Sequence, residues 1–159
     1  MDTTATTADL ERYRELSGGK PPEPYTYVTL LGLNTFEREK LLRAVERGLA
    51  WKTFDRLVQN VGLPVEQIAG AIDLPKRTRA RRKAEGRFLP DESDRLLRFA
   101  RIYARALDLF AGEREVAVRW LTQPKHALSG AIPLELARTD VGAREVEAAI
   151  DRIEQGVYS

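Results

Sequence analysis

Apolar residues recur at helical spacing along most of this chain, and the breaks between the runs are short. Leu41, Leu42 and Val45 share one face of a segment that starts near Thr35 or Phe36 and stops near Gly48. Phe54, Leu57, Val58 and Val61 mark a second helix ended by Gly62, and Val65, Ile68, Ala69 and Ile72 mark a third, short one. Pro75 opens a fourth that runs to about Glu85 and stops at Gly86, proline first and glycine last as helices prefer. The longest run, roughly Asp91–Ala111, carries Leu96, Ala100, Tyr103, Leu107 and Phe110 on one stripe. A helix around Glu113–Thr122 follows, then short helical turns near Pro124 and Pro133. A final amphipathic helix spans about Asp140 to Gln155, with Val146, Ile150 and Ile153 aligned.

The N-terminal part departs from this pattern. Residues 1–16 read as a short polar helix, and Gly18-Gly19-Lys20-Pro21-Pro22-Glu23-Pro24 is a breaker and linker. Tyr25–Leu31 has strand-like residues but no partner strand, which predicts an extended or weakly structured segment. The expected fold is therefore all-α, with an N-terminal helix and linker over residues 1–35, a helical core over 36–111 and a terminal helical module over 112–159.

Composition narrows the setting. A chain of 159 residues with 43% hydrophobic and 31% charged residues can bury a useful core and reads as soluble and globular. It has no cysteine, so disulfides and thiolate metal sites are excluded. The N-terminus, Met1 to Asp9, lacks a basic start and an apolar run, and no stretch approaches the roughly 20 apolar residues of a membrane helix. A cytoplasmic protein is expected.

Charge changes the picture more. The net charge is only +2, yet Lys76, Arg77, Arg79, Arg81, Arg82, Lys83 and Arg87 stand against the single acid Glu85 in residues 76–87. That segment is +6 and leaves −4 for the remainder. Like charges this dense cannot be neutralised locally and repel within a short helix, so the cluster points to a polyanion. Its setting, two short helices joined by a tight turn with the second helix basic, is the pattern of a helix-turn-helix. Ala69 is small where the two helices approach, Asp73 takes the turn position that favours left-handed backbone, and Leu74 anchors inward. The rotation of the basic helix is open. The usual pattern turns apolar residues inward at about the positions of Arg79 and Arg82, whereas Ala80, Ala84 and Phe88 recur every four residues and offer another inward stripe. The candidate DNA contacts are Lys76, Arg77, Thr78, Arg79, Arg81, Arg82, Lys83 and Arg87. A second stripe, Arg95, Arg98, Arg101 and Arg105, reads as structural because Asp91 and Asp94 precede the first two by four residues.

Catalytic chemistry has little to build on. His126 is the single histidine and sits beside Lys125 in a turn, where it reads as a capping or surface residue. No Gly-rich phosphate loop or metal-ligand spacing occurs. Glu145 and Glu147 lie near the start of the last helix, where acids complement the helix dipole. Trp120 reads as a core plug. No enzyme, cofactor or metal is expected.

The ordered set Arg77-Thr78 through Arg82, Gly86, Glu92–Arg98, Trp120-Leu121, Pro124, Leu128, Gly130, Pro133-Leu134, Thr139, Gly142, Val146, Ile150, Arg152-Ile153 and Gly156-Val157-Tyr158 resembles the MbcA/ParS/Xre antitoxins. The likeness covers about residues 36–159. It implies an Xre-like DNA-binding region followed by a module that binds a RES-domain toxin acting on NAD. It further implies that the C-terminal segment, Arg152, Gly156, Val157, Tyr158 and Ser159, enters or covers the toxin's NAD site. A plug is chemically reasonable: Gly156 ends a helix, Val157 and Tyr158 offer apolar bodies, and Ser159 brings a carboxylate. The family more often has an apolar residue at the position of Arg79. Operator DNA, the toxin and a homodimer within a hetero-oligomeric complex are the expected partners. The competing reading is a free-standing helix-turn-helix regulator whose C-terminal module serves dimerisation.

Overall fold

The computed structural model of the chain describes residues 26–33 and 37–156. The polar helix expected over residues 1–16, the linker and the helix start near Thr35 or Phe36 lie outside them. The described residues form a 3₁₀ turn at Thr26–Thr29 and then α1 (Arg38–Arg47), α2 (Trp51–Asn60), α3 (Val65–Ala71), α4 (Lys76–Glu85) and α5 (Pro90–Leu109). After these come α6 (Arg114–Thr122), a 3₁₀ turn at His126–Leu128, α7 (Pro133–Leu136) and α8 (Asp140–Glu154). The protein is all-α, and among the described residues no helix is long and apolar enough to cross a membrane.

The 20-residue α5 is the axle. Four members of its predicted stripe, Leu96, Ala100, Tyr103 and Leu107, are all at or below 1% exposure, while Phe110 lies just past the helix and is half-buried. The first 3₁₀ turn, α1, α6 and α8 all pack on it. Each fully buried large apolar side chain contributes about 1.5–3 kcal/mol relative to exposure, so this stripe is a main source of stability. Burial also pushes the Tyr103 phenol up to about 12.

The N-terminal approach differs from the expected extended segment. Thr26–Thr29 is a 3₁₀ turn, and Val28, Leu30 and Leu31 are buried. Among the described residues no strand pairs with this segment, and the Leu30 carbonyl accepts from the Asn60 side-chain amide at 2.9 Å. A buried backbone acceptor needs a partner, and a side chain of α2 supplies it.

One short backbone pairing locks the middle of the chain. Ala50 and Arg87 form an isolated antiparallel bridge, with Trp51 N–H donating to Gly86 and Phe88 N–H to Leu49, each at 2.9 Å. Trp51, Phe54 and Phe88 cluster over it with ring centroids 5.1–6.2 Å apart. Gly48, at φ 86°, allows the close approach: a Cβ there would overlap the Phe88 carbonyl oxygen.

Candidate nucleic-acid and partner interfaces

The turn between α3 and α4 has the geometry its residues predict. Ala69 is buried, Leu74 N–H donates to the Ala69 carbonyl at 2.8 Å, and Asp73 adopts φ 52°. Leu74 points into the core at 3% exposure. Arginines brace the turn from outside it. Arg95 Nε donates to the Ile72 carbonyl at 2.7 Å, and Arg138 reaches the Asp73 carboxylate at 3.5 Å.

The basic helix α4 turns Arg79 and Arg82 inward, while Ala80 and Ala84 are exposed. The alanine stripe is therefore not the buried one; only Phe88, beyond the helix, is buried as that alternative supposed. The inward arginines occupy the usual core-facing positions because each meets a carboxylate. Arg82, 7% exposed, donates from Nε to both oxygens of buried Glu92 at 2.5 and 2.8 Å and from an Nη to Glu85 at 3.1 Å. The hydrogen bond to Glu92 holds the Arg82 guanidinium above its ordinary value. Arg79 pairs with Glu66 of α3 at 2.6 Å, and that hydrogen bond pulls the Glu66 carboxyl down. Charge at these positions thus ties α4 to α3 and α5, where an apolar contact would ordinarily do so.

The remaining candidates separate by exposure. Lys76, Arg77, Arg81 and Lys83 are exposed and, among the described residues, form no ion pair. Thr78 is half-buried. Arg87 is exposed but donates to the Gly48 carbonyl at 2.6 Å. Helix α4 has no acid in its first turn, so Lys76 and Arg77 add to the positive end of its dipole. The free cations form an outward face suited to a phosphate backbone, and Arg82 and Arg79 lie behind it as braces. Glu66 and Glu92 are the functional residues that sequence reasoning missed. Their signal was indirect: two arginines at core-facing positions require two acids.

The C-terminal module is built on α5 by a second set of arginines. Arg95 and Arg98 make the expected intrahelical pairs with Asp91 and Asp94 at 3.2 Å. Arg101, by contrast, crosses to Glu147 at 2.5 Å, and Arg105 crosses to Asp151 and Glu154. These pairs fix α8 along the second half of the axle. Trp120 is half-buried against Phe110, with the Lys125 ammonium 6.0 Å from its ring centre. His126 is exposed. Helix α8 starts with a Thr139 cap, which accepts from Gly142 N–H at 3.0 Å. It buries Ala143, Val146, Ala149 and Ile150 and leaves Arg152 and Ile153 half-exposed. Gly156, at φ 72°, turns the chain out of the helix. Val157, Tyr158 and Ser159 lie outside the described residues.

Residues 40–101 match the antitoxin Xre-like helix-turn-helix domain, and residues 105–156 match the antitoxin Xre/MbcA/ParS C-terminal toxin-binding domain. An antitoxin Xre of Yersinia enterocolitica is 34% identical over 81% of this chain and 88% of its own. A second antitoxin Xre, from Photorhabdus laumondii, is 33% identical over 80% of this chain and 81% of its own. The Prs ADP-ribosylating antitoxin of a Sphingobium strain is 25% identical over 96% of this chain and 99% of its own.

Proposed function

The chain belongs to the Xre/MbcA/ParS family of antitoxins, with a helix-turn-helix DNA-binding domain followed by a toxin-binding domain, and on that premise we propose that it neutralises a RES-domain toxin by covering its NAD site with the segment from Arg152 to Ser159. The observation that carries this reading is the end of α8. Gly156 takes the chain out of the helix at the limit of the toxin-binding domain, directly before Val157-Tyr158-Ser159. An aromatic ring with a hydroxyl suits a pocket that receives a nucleotide base or ribose. Support for an NAD-using toxin comes from the Sphingobium relative, whose name refers to ADP-ribosylation, a transfer that draws on NAD as donor.

The test uses the full chain, a variant lacking residues 157–159, and a RES-domain toxin whose NAD consumption is followed. The truncated chain should keep its melting temperature, which reports on folding separately from suppression, and should need at least tenfold more protein to silence the toxin. Full suppression by the truncated chain overturns the plug.

The exposed face of α4 is assigned to operator DNA, read by a homodimer that represses the operon alone or with the toxin. Lys76, Arg77, Arg81 and Lys83 contact phosphates and Thr78 lies in the first turn of the helix, while Arg79, Arg82 and Arg87 hold the helix in place. Each phosphate contact contributes about 0.9 to the slope of log affinity against log salt. Replacing Arg77 and Arg81 together with alanine removes two contacts from each protomer of the dimer and should therefore flatten that slope by roughly 3–4 and leave toxin suppression intact. An unchanged slope moves the DNA face elsewhere.

A further inference from the structure

A cavity of about 560 Å³ lies at the opposite end of α4 from Lys76 and Arg77. Four cationic side chains from three stretches converge on it: Arg47 at the end of α1, Lys52 and Arg56 on α2, and Arg87 after α4. Asp55 is the sole carboxylate among its described lining residues, and Leu31 and Leu49 contribute to an apolar floor. The wall is preformed. The Ala50–Arg87 bridge fixes one side, and the Arg87 guanidinium is held to the Gly48 carbonyl at 2.6 Å.

We propose that this cleft binds a phosphorylated small molecule of nucleotide size. Even without Arg56, the cations Arg47, Lys52 and Arg87 outnumber the one lining acid Asp55 and favour an anion, because like charges gathered around a concave surface focus a positive potential and gain from a counter-charge. The apolar floor favours a ligand that also carries a flat or apolar part. The volume falls in the range of roughly 300–1,000 Å³ typical of small-ligand sites, larger than a bare phosphate requires. DNA laid on α4 would not fill the cleft. A helix-turn-helix presents the N-terminal residues of its second helix to the bases. Ten residues of α4, about 15 Å of helix, separate that end from Arg87.

Isothermal titration of the full chain with ADP at low ionic strength tests this site. Saturable binding with one ADP per chain is expected, with no binding of adenosine and weaker binding of pyrophosphate. The Arg47→Ala/Lys52→Ala variant should bind ADP at least tenfold more weakly while melting like the parent. The Arg77→Ala/Arg81→Ala variant should bind it within twofold of the parent. The proposal is overturned by no ADP binding up to millimolar concentration, by equal loss in both variants, or by no loss in the Arg47/Lys52 variant. Displacement of ADP by a short DNA duplex also overturns it, by reassigning the cleft to the nucleic-acid backbone.

Discussion

Replacing Glu92 with alanine is expected to lower the melting temperature by roughly 10 °C and to weaken operator binding more than toxin suppression. The carboxylate accepts twice from Arg82, and both residues are at or below 7% exposure. Its removal leaves a buried guanidinium with only the half-exposed Glu85 for a partner. Breaking one side of such a pair is severe because the remaining charge stays desolvated, whereas replacing both sides with apolar groups often restores stability. The double variant Arg82→Met/Glu92→Leu should therefore melt closer to the parent than Glu92→Ala does. Glu92→Gln, which keeps an acceptor without the charge, should fall between them. Thermal melts and DNA titrations on the three variants check the ordering. If Glu92→Ala melts within 2 °C of the parent, which corresponds to about 1 kcal/mol or less, the pair is not a brace.

Gly142→Ala should destabilise the protein, although alanine is the better helix former. Gly142 lies in the first turn of α8, where a Cβ would overlap the Leu136 carbonyl oxygen and crowd the Thr139 hydroxyl that caps the helix. The propensity gain is about 1 kcal/mol at most, while forced separation of packed backbone costs about 1–3 kcal/mol and sometimes more. The clash wins, and it pushes the start of α8 away from α7. Suppression of the toxin should weaken with it if the proposed plug, which follows α8 in the chain, is the suppressing element. Gly70→Ala is the matched control. Gly70 also lies in a helix, α3, but a Cβ there meets nothing within 4 Å, so that variant should be unchanged or slightly stabilised. Urea unfolding of both variants distinguishes the cases: opposite signs support the close α7–α8 approach, and equal shifts sink it.

The helices were legible because their signal is local. A stripe such as Leu96, Ala100, Tyr103 and Leu107 declares its own spacing, and Gly86 after a basic helix declares its own stop. Asp73 was legible for a similar reason, since the turn demands a left-handed residue whatever packs around it. The features that escaped depend on partners remote in sequence. Arg79 meets Glu66 across 13 residues, and Arg82 meets Glu92 across 10. A charged residue facing a buried acid is written with the same letter as one facing water. The 3₁₀ turn at Thr26–Thr29 was hidden because Asn60, 30 residues away, satisfies the Leu30 carbonyl. The cationic cleft has the same cause: Arg87 joins Arg47, Lys52 and Arg56 only through the fold.

The shared use of α5 bears on how such proteins can be recombined. The first half of this helix carries Glu92 and Arg95, which serve the helix-turn-helix, and the second half carries Arg101 and Arg105, which serve α8. The junction between the two matched domains falls at residues 102–104, inside that helix and between Arg101 and Arg105, so it would part the two arginines that serve α8. A chimera spliced in the loop after α5 would join one parent's Arg101 and Arg105 to another parent's α8. Graftable halves would need to travel with their own stretch of the axle, so toxin specificity is exchanged most cleanly by a crossover near Ala100, upstream of both arginines.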